Sequence, residues 1–595
     1  MGLPKVPHWF KDELREVFSL TWTMMVISLF SNLMGPISIA FCGHLGTKQL
    51  DGVALANTLI NVSGVSISLG LSTACDTFFS QSFGSPNKKM VGVYLQRAIL
   101  VFSLFLFPCW AFQINTESFL ILLGQDREIA KIAGQYMLIF TPGLIGIFMQ
   151  NVLLRYLRAQ NILWPTMIIG CLGVAVNALS HYLLVLVAEM GTDGSAISQV
   201  LAFYSIVFGC LVYIIGFKKY KQTWGGWTWD AFQEWGLFLK LALGGMCAVM
   251  MEFFSFEAGT ILAGILGEVQ LAAQSIMFQI DILAYMIPLG VGVAANIRVG
   301  QLLGAGDKEQ VKRVIKVAYL LVHIFVVVAA ILIVTLRFEI PKIFSGSPAV
   351  IEYTSNLMII TAIYFVIDGC VAVGQGILRG SGRQLTCAFI TLVAFYLIGL
   401  PMGIPLMFLT SIETAGYWWG LVAGMLVTGT SLLVIVLRTD WDEMIKLARE
   451  RTTVKDRSAD EIEDNTIHET TALLADKRES EDEYPGGRHI AYCDRAVSSS
   501  DLRKPLPTPH YEPFGPQLLF KRTIFILLMV LTLALGIFIR FNFYYPDLPA
   551  PMEVLCTNGT SNNGTSTNGT STNTTTTIPL STITLPLCNY TTVVL

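Results

Sequence analysis

The sequence predicts an all-α integral membrane protein: two parallel six-helix lobes around a central cleft, plus a thirteenth, C-terminal transmembrane helix. Three observations predict this class: an apolar composition, the lengths of the apolar segments, and an internal repeat. Hydrophobic residues make up 53% and charged residues 14% of the 595-residue chain, and its mean hydropathy is +0.60. Soluble domains carry about 25% charged residues, so most of this chain faces lipid or other apolar helices.

Apolar segments long enough to cross a bilayer, which takes about 20 residues, occur along most of the chain. Twelve lie before residue 440, and a thirteenth follows a long polar stretch. The predicted spans are 17–41, 53–82, 91–113, 129–152, 164–188, 195–217, 236–265, 269–300, 312–336, 351–375, 385–409, 414–437 and 520–541. The first segment serves as an internal insertion signal, because the N-terminus lacks a signal-peptide cleavage pattern.

These spans predict seven consecutive regions. They are an N-terminal segment at 1–16, an N-lobe at 17–217, an inter-lobe linker at 218–235, a C-lobe at 236–437, a polar linker at 438–519, the last span at 520–541 and a tail at 542–595. The polar linker is rich in Asp, Glu, Arg and Ser and poor in aromatic residues, so we expect it to be disordered. The Thr- and Asn-rich tail is of low complexity and is also expected to lack structure.

An internal repeat relates the two lobes. Shifting the chain by 220 residues places Leu69-Gly70 on Leu289-Gly290, Gln81 on Gln301, Gly84 on Gly304 and Lys88 on Lys308, and a shift of 221 places Leu157-Arg158 on Leu378-Arg379. Chance matches of Leu, Gly and Ala are common in membrane chains, but a nearly constant offset is not. Six spans separate the matched segments, so the repeats are parallel and the binding site is expected between the lobes near the bilayer midplane.

Loop charges predict the orientation, since cytoplasmic loops carry an excess of Lys and Arg. With the N-terminus in the cytoplasm, the inside loops hold most of the basic residues: Lys88, Lys89, Arg155, Arg158, Lys218, Lys219, Lys221, Lys308, Lys312, Arg313, Lys316, Arg379 and Arg383. An odd number of spans then places the C-terminus outside. Glycosylation acceptors in that tail, in N-x-[ST] form, agree: Asn558, Asn563, Asn568, Asn573 and Asn589.

Acidic residues inside predicted spans are functional candidates, because each costs about 2.5–3.5 kcal/mol on insertion scales. Glu252, Glu257, Asp281 and Asp368 all lie in the second repeat, whereas the first has only Asp76, near the end of a span. The asymmetry predicts a proton and cation site in the C-lobe. The simpler alternative is that these carboxyl groups only form hydrogen bonds between helices, which average about 0.6 kcal/mol.

The spacing of Glu252 and Glu257 turns them about 140° apart on a regular helix. Either both edges of one wide cavity are acidic, or the helix bends near its glycines. Nearby aromatic residues such as Phe253 and Tyr285 can supply cation–π contacts, although packing alone explains any single one of them.

Other chemistry has no support in the sequence. The chain lacks GxxxxGK[ST], G-x-S-x-G and HExxH, which disfavours ATP as the energy source and a membrane hydrolase. No Cys or His spacing suggests a metal site, no cofactor is implied, and the net charge of -3 gives no sign of a nucleic-acid partner. We therefore expect a protein that is not an enzyme.

Several segments resemble the multidrug and toxin extrusion family of vertebrates. They are QLDGVALANTLINVSGVSISLGLSTACDTFFSQSFGS, LLRYLRAQN, NIRVGQLLGAGD and ILRGSG. The resemblance covers about residues 15–437 and implies a proton-coupled antiporter of the plasma membrane that exports organic cations, drugs and toxins by alternating access. Family members of the animal type also carry a thirteenth span and an external C-terminus.

The resemblance also implies roles for individual residues. The acids of the family's second lobe fall on Glu252, Glu257 and Asp368, while another falls on Gln279, which is not acidic here. Asp281, two residues further on, is a candidate replacement. A polar position of the family's cavity falls on Asn61, which is also the repeat mate of Asp281, and a reactive cysteine near the cavity falls on Cys42.

Alternatives remain open from the sequence. A sodium-coupled exporter of the same superfamily would use the same carboxylates, and a flippase of lipid-linked oligosaccharides would favour a basic interior. The segment ETTALL, with Leu473 and Leu474, resembles a sorting motif read by endocytic adaptors, and a chance match is at least as good an explanation. A disulfide between Cys556 and Cys588 is possible in an oxidising compartment.

Overall fold

The computed structural model describes residues 8–452 and 516–542, and this part of the chain is helical without strands, as the sequence predicts. Twelve helices there are long and apolar enough to cross a membrane, or thirteen if one bent pair counts as a single span. The spans are His8–Cys42, Thr47–Gly84, Met90–Ile114, Arg127–Phe140 with Gly143–Arg158, Trp164–Val187, Gly191–Gly216, Trp235–Leu266, Glu268–Ala305, Lys308–Thr335, Pro348–Ser381, Gln384–Leu409, Thr414–Arg438 and Pro516–Asn542. We number them spans 1 to 13.

Two of the spans in the first repeat are broken. Span 1 consists of His8–Asn32 and Met34–Cys42, and Pro36 follows the break. The halves of span 4 meet at an angle of 54° around Pro142. Proline lacks the amide hydrogen that a helix interior uses and clashes with the preceding turn, so both breaks have a local cause.

The two lobes have separate hydrophobic cores. Spans 2 to 6 and the second half of span 1 form the N-lobe core, and spans 8 to 12 form the C-lobe core. The first half of span 1, from Val17 to Ile27, packs into the C-lobe core, where Arg298 pairs with Glu13 at 3.0 Å. Span 7 does the reverse, since Trp235 and Phe238 belong to the N-lobe core. Each repeat therefore begins inside the other lobe, a reciprocal arrangement that fits an internal duplication.

The lobes are joined at the end of the bundle whose loops carry most of the Lys and Arg residues, here called the basic end. Two matched hydrogen bonds connect them: Gln81 Nε2 donates to Gly380 O at 2.8 Å, and Gln301 Nε2 donates to Ala159 O at 2.9 Å. Both donors and both acceptors are repeat mates. Within residues 8–452 and 516–542, loops at the opposite end form no hydrogen bond between the lobes.

Glycine allows the two lobes to approach closely at these contacts of the basic end, which are here called the seal. A Cβ on Gly84 would lie 1.9 Å from Gln301 O, and a Cβ on its repeat mate Gly304 would lie 2.0 Å from Gln81 O. Real Cβ contacts are never so short, so any larger residue would force the lobes apart. The Gln and Gly positions that reveal the repeat in the sequence are thus the residues that form a pseudo-symmetric contact between the lobes.

A helix at Trp441–Thr452, here called the post-lobe helix, corrects the predicted disordered linker at 438–519. Trp441, Met444 and Ala448 are buried in the C-lobe core, and their helical spacing makes one apolar face. Sequence reasoning missed this helix because its other residues are charged and its partners lie far away in the chain. Residues 453–515, with Leu473 and Leu474, lie outside the described residues, as do the tail's predicted glycosylation sites, Cys556 and Cys588.

Span 13 packs against the outside of the N-lobe. Asn115 Nδ2 donates to Gly536 O at 2.8 Å, and the guanidinium of Arg522 lies 5.0 Å from the ring centroid of Trp235. Gly536 faces Ala111 of span 3, where a Cβ would come within 2.6 Å. The last span is therefore a peripheral helix of the N-lobe.

Candidate functional site

Three acidic side chains meet in the C-lobe. Span 8 carries Asp281, span 10 carries Asp368, and span 7 carries Glu252, which is half-buried. Asp281 and Asp368 are only 6% and 2% exposed. Each of the three lies close enough to interact electrostatically with the other two. We call Glu252, Asp281 and Asp368 the acidic triad.

Spans 8 and 10 hold two members of the triad together by close backbone packing. A Cβ on Gly376 would lie 2.1 Å from Gly292 O, and a Cβ on Gly292 would lie 2.5 Å from Ala372 O. Helices approach this closely only where small residues face each other. The pairing places Asp281 and Asp368 in one interior, although 87 positions separate them in the numbering of the chain.

The triad is not fully satisfied by hydrogen bonds within the described structure. Asp281 Oδ1 is buried without a hydrogen-bond partner. A buried polar oxygen normally has a partner, because leaving it unpaired costs about 1–3 kcal/mol. One positive group, Arg379, interacts electrostatically with Glu252. Three carboxyl groups in a poorly screening interior still hold fewer than three negative charges unless a further cation joins them. The arrangement can therefore exchange protons for a positively charged ligand.

Tyrosines and one amide surround the triad. Tyr285 and Tyr364 both interact electrostatically with all three acids, and Tyr364 packs edge-on against Trp418. Gln375 hydrogen-bonds to Glu252 and also accepts from Arg379 Nη2 at 2.7 Å. The sequence analysis missed Tyr364 and Gln375. Gln375 follows Asp368 by seven positions, so their shared helix face was a signal that could have found it.

The other predicted acid lies apart from the triad. Glu257 is half-buried, and within the described residues it has no hydrogen bond or ion pair with another group. Span 7 is one continuous helix from Trp235 to Leu266 and is not interrupted at its glycines. The structure therefore groups Glu252 with Asp281 and Asp368 rather than with Glu257.

The remaining predicted cleft residues are dispersed. Gln279 is exposed, as is Asn61, which begins a π-helical stretch of span 2, and Phe253 is half-buried. Cys42 differs from the prediction of a cleft position: it is fully buried in the N-lobe, with hydrogen bonds to Ser38 and Ser195.

The N-lobe interior contains compensated groups instead of free acids. Asp76 pairs with Arg155 at 2.9 Å. His181 bonds to Asn177 O at 2.8 Å through Nδ1 and to Ser195 Oγ at 3.0 Å through Nε2. Among the described residues, no group of three or more His, Cys, Asp or Glu is placed to hold a metal ion.

Fold and site together define the class: a polytopic, two-lobed helical membrane transporter with an acidic interior in one lobe. Known proteins agree. The MatE family model matches residues 24–183 and 246–404, one segment in each lobe and at an offset close to that of the sequence repeat. This chain belongs to the multidrug and toxin extrusion (MATE) family.

Relatives cover most of the chain. "Multidrug and toxin extrusion protein 1" of Xenopus tropicalis is 40% identical over 440 residues, or 74% of this chain and 77% of that protein. The human protein of the same name is 34% identical over 546 residues, covering 89% of this chain and 94% of its own. The crystal structure of the eukaryotic MATE transporter AtDTX14 superposes with a TM-score of 0.71 at 26% identity, over 75% of this chain and all of that one.

Proposed function

We propose that this transporter exports organic cations across the plasma membrane in exchange for protons, by alternating access between its two lobes. The observation that carries the proposal is the acidic triad of Glu252, Asp281 and Asp368 in one lobe, in which Asp281 and Asp368 are buried and a carboxyl oxygen of Asp281 has no hydrogen-bond partner among the described residues. The names of its relatives support extrusion of drugs and toxins as the broad activity.

The triad accounts for exchange because protons and organic cations neutralise the same charges. Protons from the outer side occupy the carboxyl groups and make a buried, cation-free site stable. An organic cation that enters from the cytoplasm restores charge balance when those protons leave. The aromatic ring of Tyr285, which interacts with all three acids, adds cation–π attraction for a bulky positive ligand.

The lobe contacts support a particular step of this cycle. With the N-terminus in the cytoplasm and the C-terminus outside, the basic end faces the cytoplasm. The hydrogen bonds of Gln81 and Gln301 then close the cytoplasmic side, and the described state is the one that releases cation and takes up protons outside. Export requires these contacts to separate once in each cycle.

Uptake into proteoliposomes tests the proposal. The purified transporter should accumulate a labelled quaternary ammonium ion after a pH jump that makes the lumen acidic, and Glu252→Gln should abolish this uptake while preserving insertion. Glu309→Gln is the matched control, because Glu309 is an exposed C-lobe acid paired with Lys312. Uptake by Glu252→Gln within about twofold of the parent, well under 1.4 kcal/mol of barrier, would sink the mechanism.

Two further arms of that experiment address the rival functions. A sodium gradient at fixed pH should drive no uptake; accumulation under that condition would assign sodium coupling instead. A labelled lipid-linked oligosaccharide should not change leaflet, since the triad repels the anionic diphosphate of such a substrate.

The predicted adaptor motif is tested separately. Leu473→Ala with Leu474→Ala should raise the amount of transporter labelled by surface biotinylation, and unchanged labelling would remove that idea.

A further inference from the structure

At the end of span 10, three successive backbone carbonyls accept hydrogen bonds from other parts of the chain, and the first of them, Arg379 O, also accepts from Gly382 N at 3.1 Å. The last four carbonyls of a helix have no donor within it. Here Thr77 Oγ1 donates to Arg379 O at 2.5 Å, Gln81 Nε2 donates to Gly380 O at 2.8 Å, and Arg451 Nη1 donates to Ser381 O at 3.2 Å. The first two donors belong to the N-lobe, and the third belongs to the post-lobe helix.

Arg451 touches both lobes. In addition to Ser381 O of the C-lobe, its Nη1 donates to Gln81 Oε1 of the N-lobe at 3.3 Å. Its own carbonyl accepts from Tyr94 Oη of the N-lobe at 2.7 Å. A guanidinium stays protonated even when partly buried, and a positive charge at a helix C-terminus is favoured by the helix dipole.

The rest of the post-lobe helix belongs to the C-lobe. Trp441 and Ala448 lie in the C-lobe core, and Asp442 pairs with Lys308. Gly382, just after span 10, has φ +81, and a Cβ there would lie 2.3 Å from Arg451 Nη1. The helix is therefore fastened to one lobe and reaches the other through its last turn.

This contact breaks the pseudo-symmetry of the seal. In the matched half, Gln301 Oε1 accepts from Asn161 Nδ2 at 3.5 Å and Gln301 Nε2 donates to Asn161 Oδ1 at 3.1 Å, and both groups are neutral. At Gln81 the corresponding oxygen accepts from a charged guanidinium. Hydrogen bonds to charged groups contribute about twice as much as neutral ones, and Arg451 supplies the one charged side-chain contact to this pair of glutamines in the described residues.

We propose that Arg451 is a clasp: a positioning residue that holds the two lobes together at the basic end and sets how often that end opens. When the seal opens, the hydrogen bonds of Arg451 with Gln81 and Tyr94 break while the post-lobe helix stays with the C-lobe. The consequence for transport rests on the proposed function, but the clasp itself concerns only the equilibrium between two arrangements of the lobes.

Backbone hydrogen exchange of the full chain in lipid nanodiscs, followed by mass spectrometry, tests the clasp without any substrate. Arg451→Gln should raise exchange about tenfold in peptides covering residues 77–84 and 377–385, since losing a bond to a charged group favours local opening by about that factor. Lys446→Gln, an exposed charge loss on the same helix, should change nothing. Arg451→Lys should fall between the parent and the Gln variant.

Equal exchange in the parent and Arg451→Gln would overturn the proposal, and so would a parent whose seal peptides already exchange like an unfolded chain. A uniform rise over all spans reports general destabilisation and not a local seal, and two truncated chains then decide. If the Gln variant disturbs folding, a chain ending after Thr452 must keep the parent's slow exchange and one ending after Asp440 must lose it. A parent that shows the exchange pattern but carries no quaternary ammonium ion would refute the proposed function and leave the clasp standing.

Discussion

The two lobes share a fold and a seal but differ in how they treat buried charge. In the N-lobe, Asp76 is paired with Arg155 inside the protein. In the C-lobe, Glu252, Asp281 and Asp368 meet one another, and an oxygen of Asp281 lacks any hydrogen-bond partner in the described structure. Charge that stabilises a fold is compensated internally, whereas charge that is left unbalanced can be balanced by a ligand. The comparison separates a lobe whose interior acid is paired with an arginine from a lobe whose interior acids lie near one another.

Gln81 and Gln301, by contrast, show what both lobes must keep. They and their neighbouring glycines make the same contacts in opposite directions. A seal between two parallel repeats needs a matching surface from each, so change in one half alone would spoil the fit. The interior acids need not match between the repeats, because they lie inside one lobe and not in the contact between the lobes.

The largest expected effect comes from removing one charge of the triad. Asp368→Asn should lower proton-driven uptake by more than about tenfold, or 1.4 kcal/mol of barrier, because the amide cannot release a proton to a cation. Uptake per surface transporter after a pH jump is the measurement. Near-normal transport would show that the C-lobe acids only form hydrogen bonds between helices. The interior acids of the two lobes would then not differ in their role in transport.

A change to the N-lobe acid should affect stability instead of coupling. Asp76→Asn leaves Arg155 buried without its partner, which typically costs about 3 kcal/mol, so the apparent melting temperature in detergent should fall. The double variant Asp76→Asn with Arg155→Gln should recover most of that loss. Uptake per folded transporter should stay within about twofold of the parent; its abolition would assign a coupling acid to the N-lobe as well.

Glu257 sharpens the comparison within the C-lobe. Because it lies outside the triad, Glu257→Gln should raise the KM for the organic cation a few-fold and leave the dependence of uptake on the pH gradient in place. Initial rates at several substrate concentrations, with and without a pH gradient, separate the two effects. Complete loss of proton coupling would mean that Glu257 joins the triad in another state of the lobes.

The smallest effect is expected beyond the two lobes. A chain ending after Thr452 keeps the post-lobe helix but loses span 13, which packs on the outside of span 3. Its uptake, corrected for surface amount, should remain within about twofold of the full chain. If a correctly inserted truncated chain no longer transports, span 13 is required for transport.

Much of the architecture could be read before any tertiary contact was known. Hydropathy located the spans because lipid exposure acts on each segment by itself. The repeat offset located the lobes, and the restriction of Glu252, Asp281 and Asp368 to one repeat indicated which lobe holds the acids. These features depend on composition and order along the chain, and the helices and lobes of the structure agree with them.

Only the tertiary structure decided which residues meet. Asp281 joins the triad and Glu257 does not, because the rotation of spans 7, 8 and 10 about their axes depends on glycine contacts between helices. The post-lobe helix is set by partners far away in the chain: Trp441 and Ala448 are buried in the C-lobe core, and Arg451 reaches Gln81 and Tyr94 of the N-lobe. The charged residues of this segment give no local sign of these distant contacts.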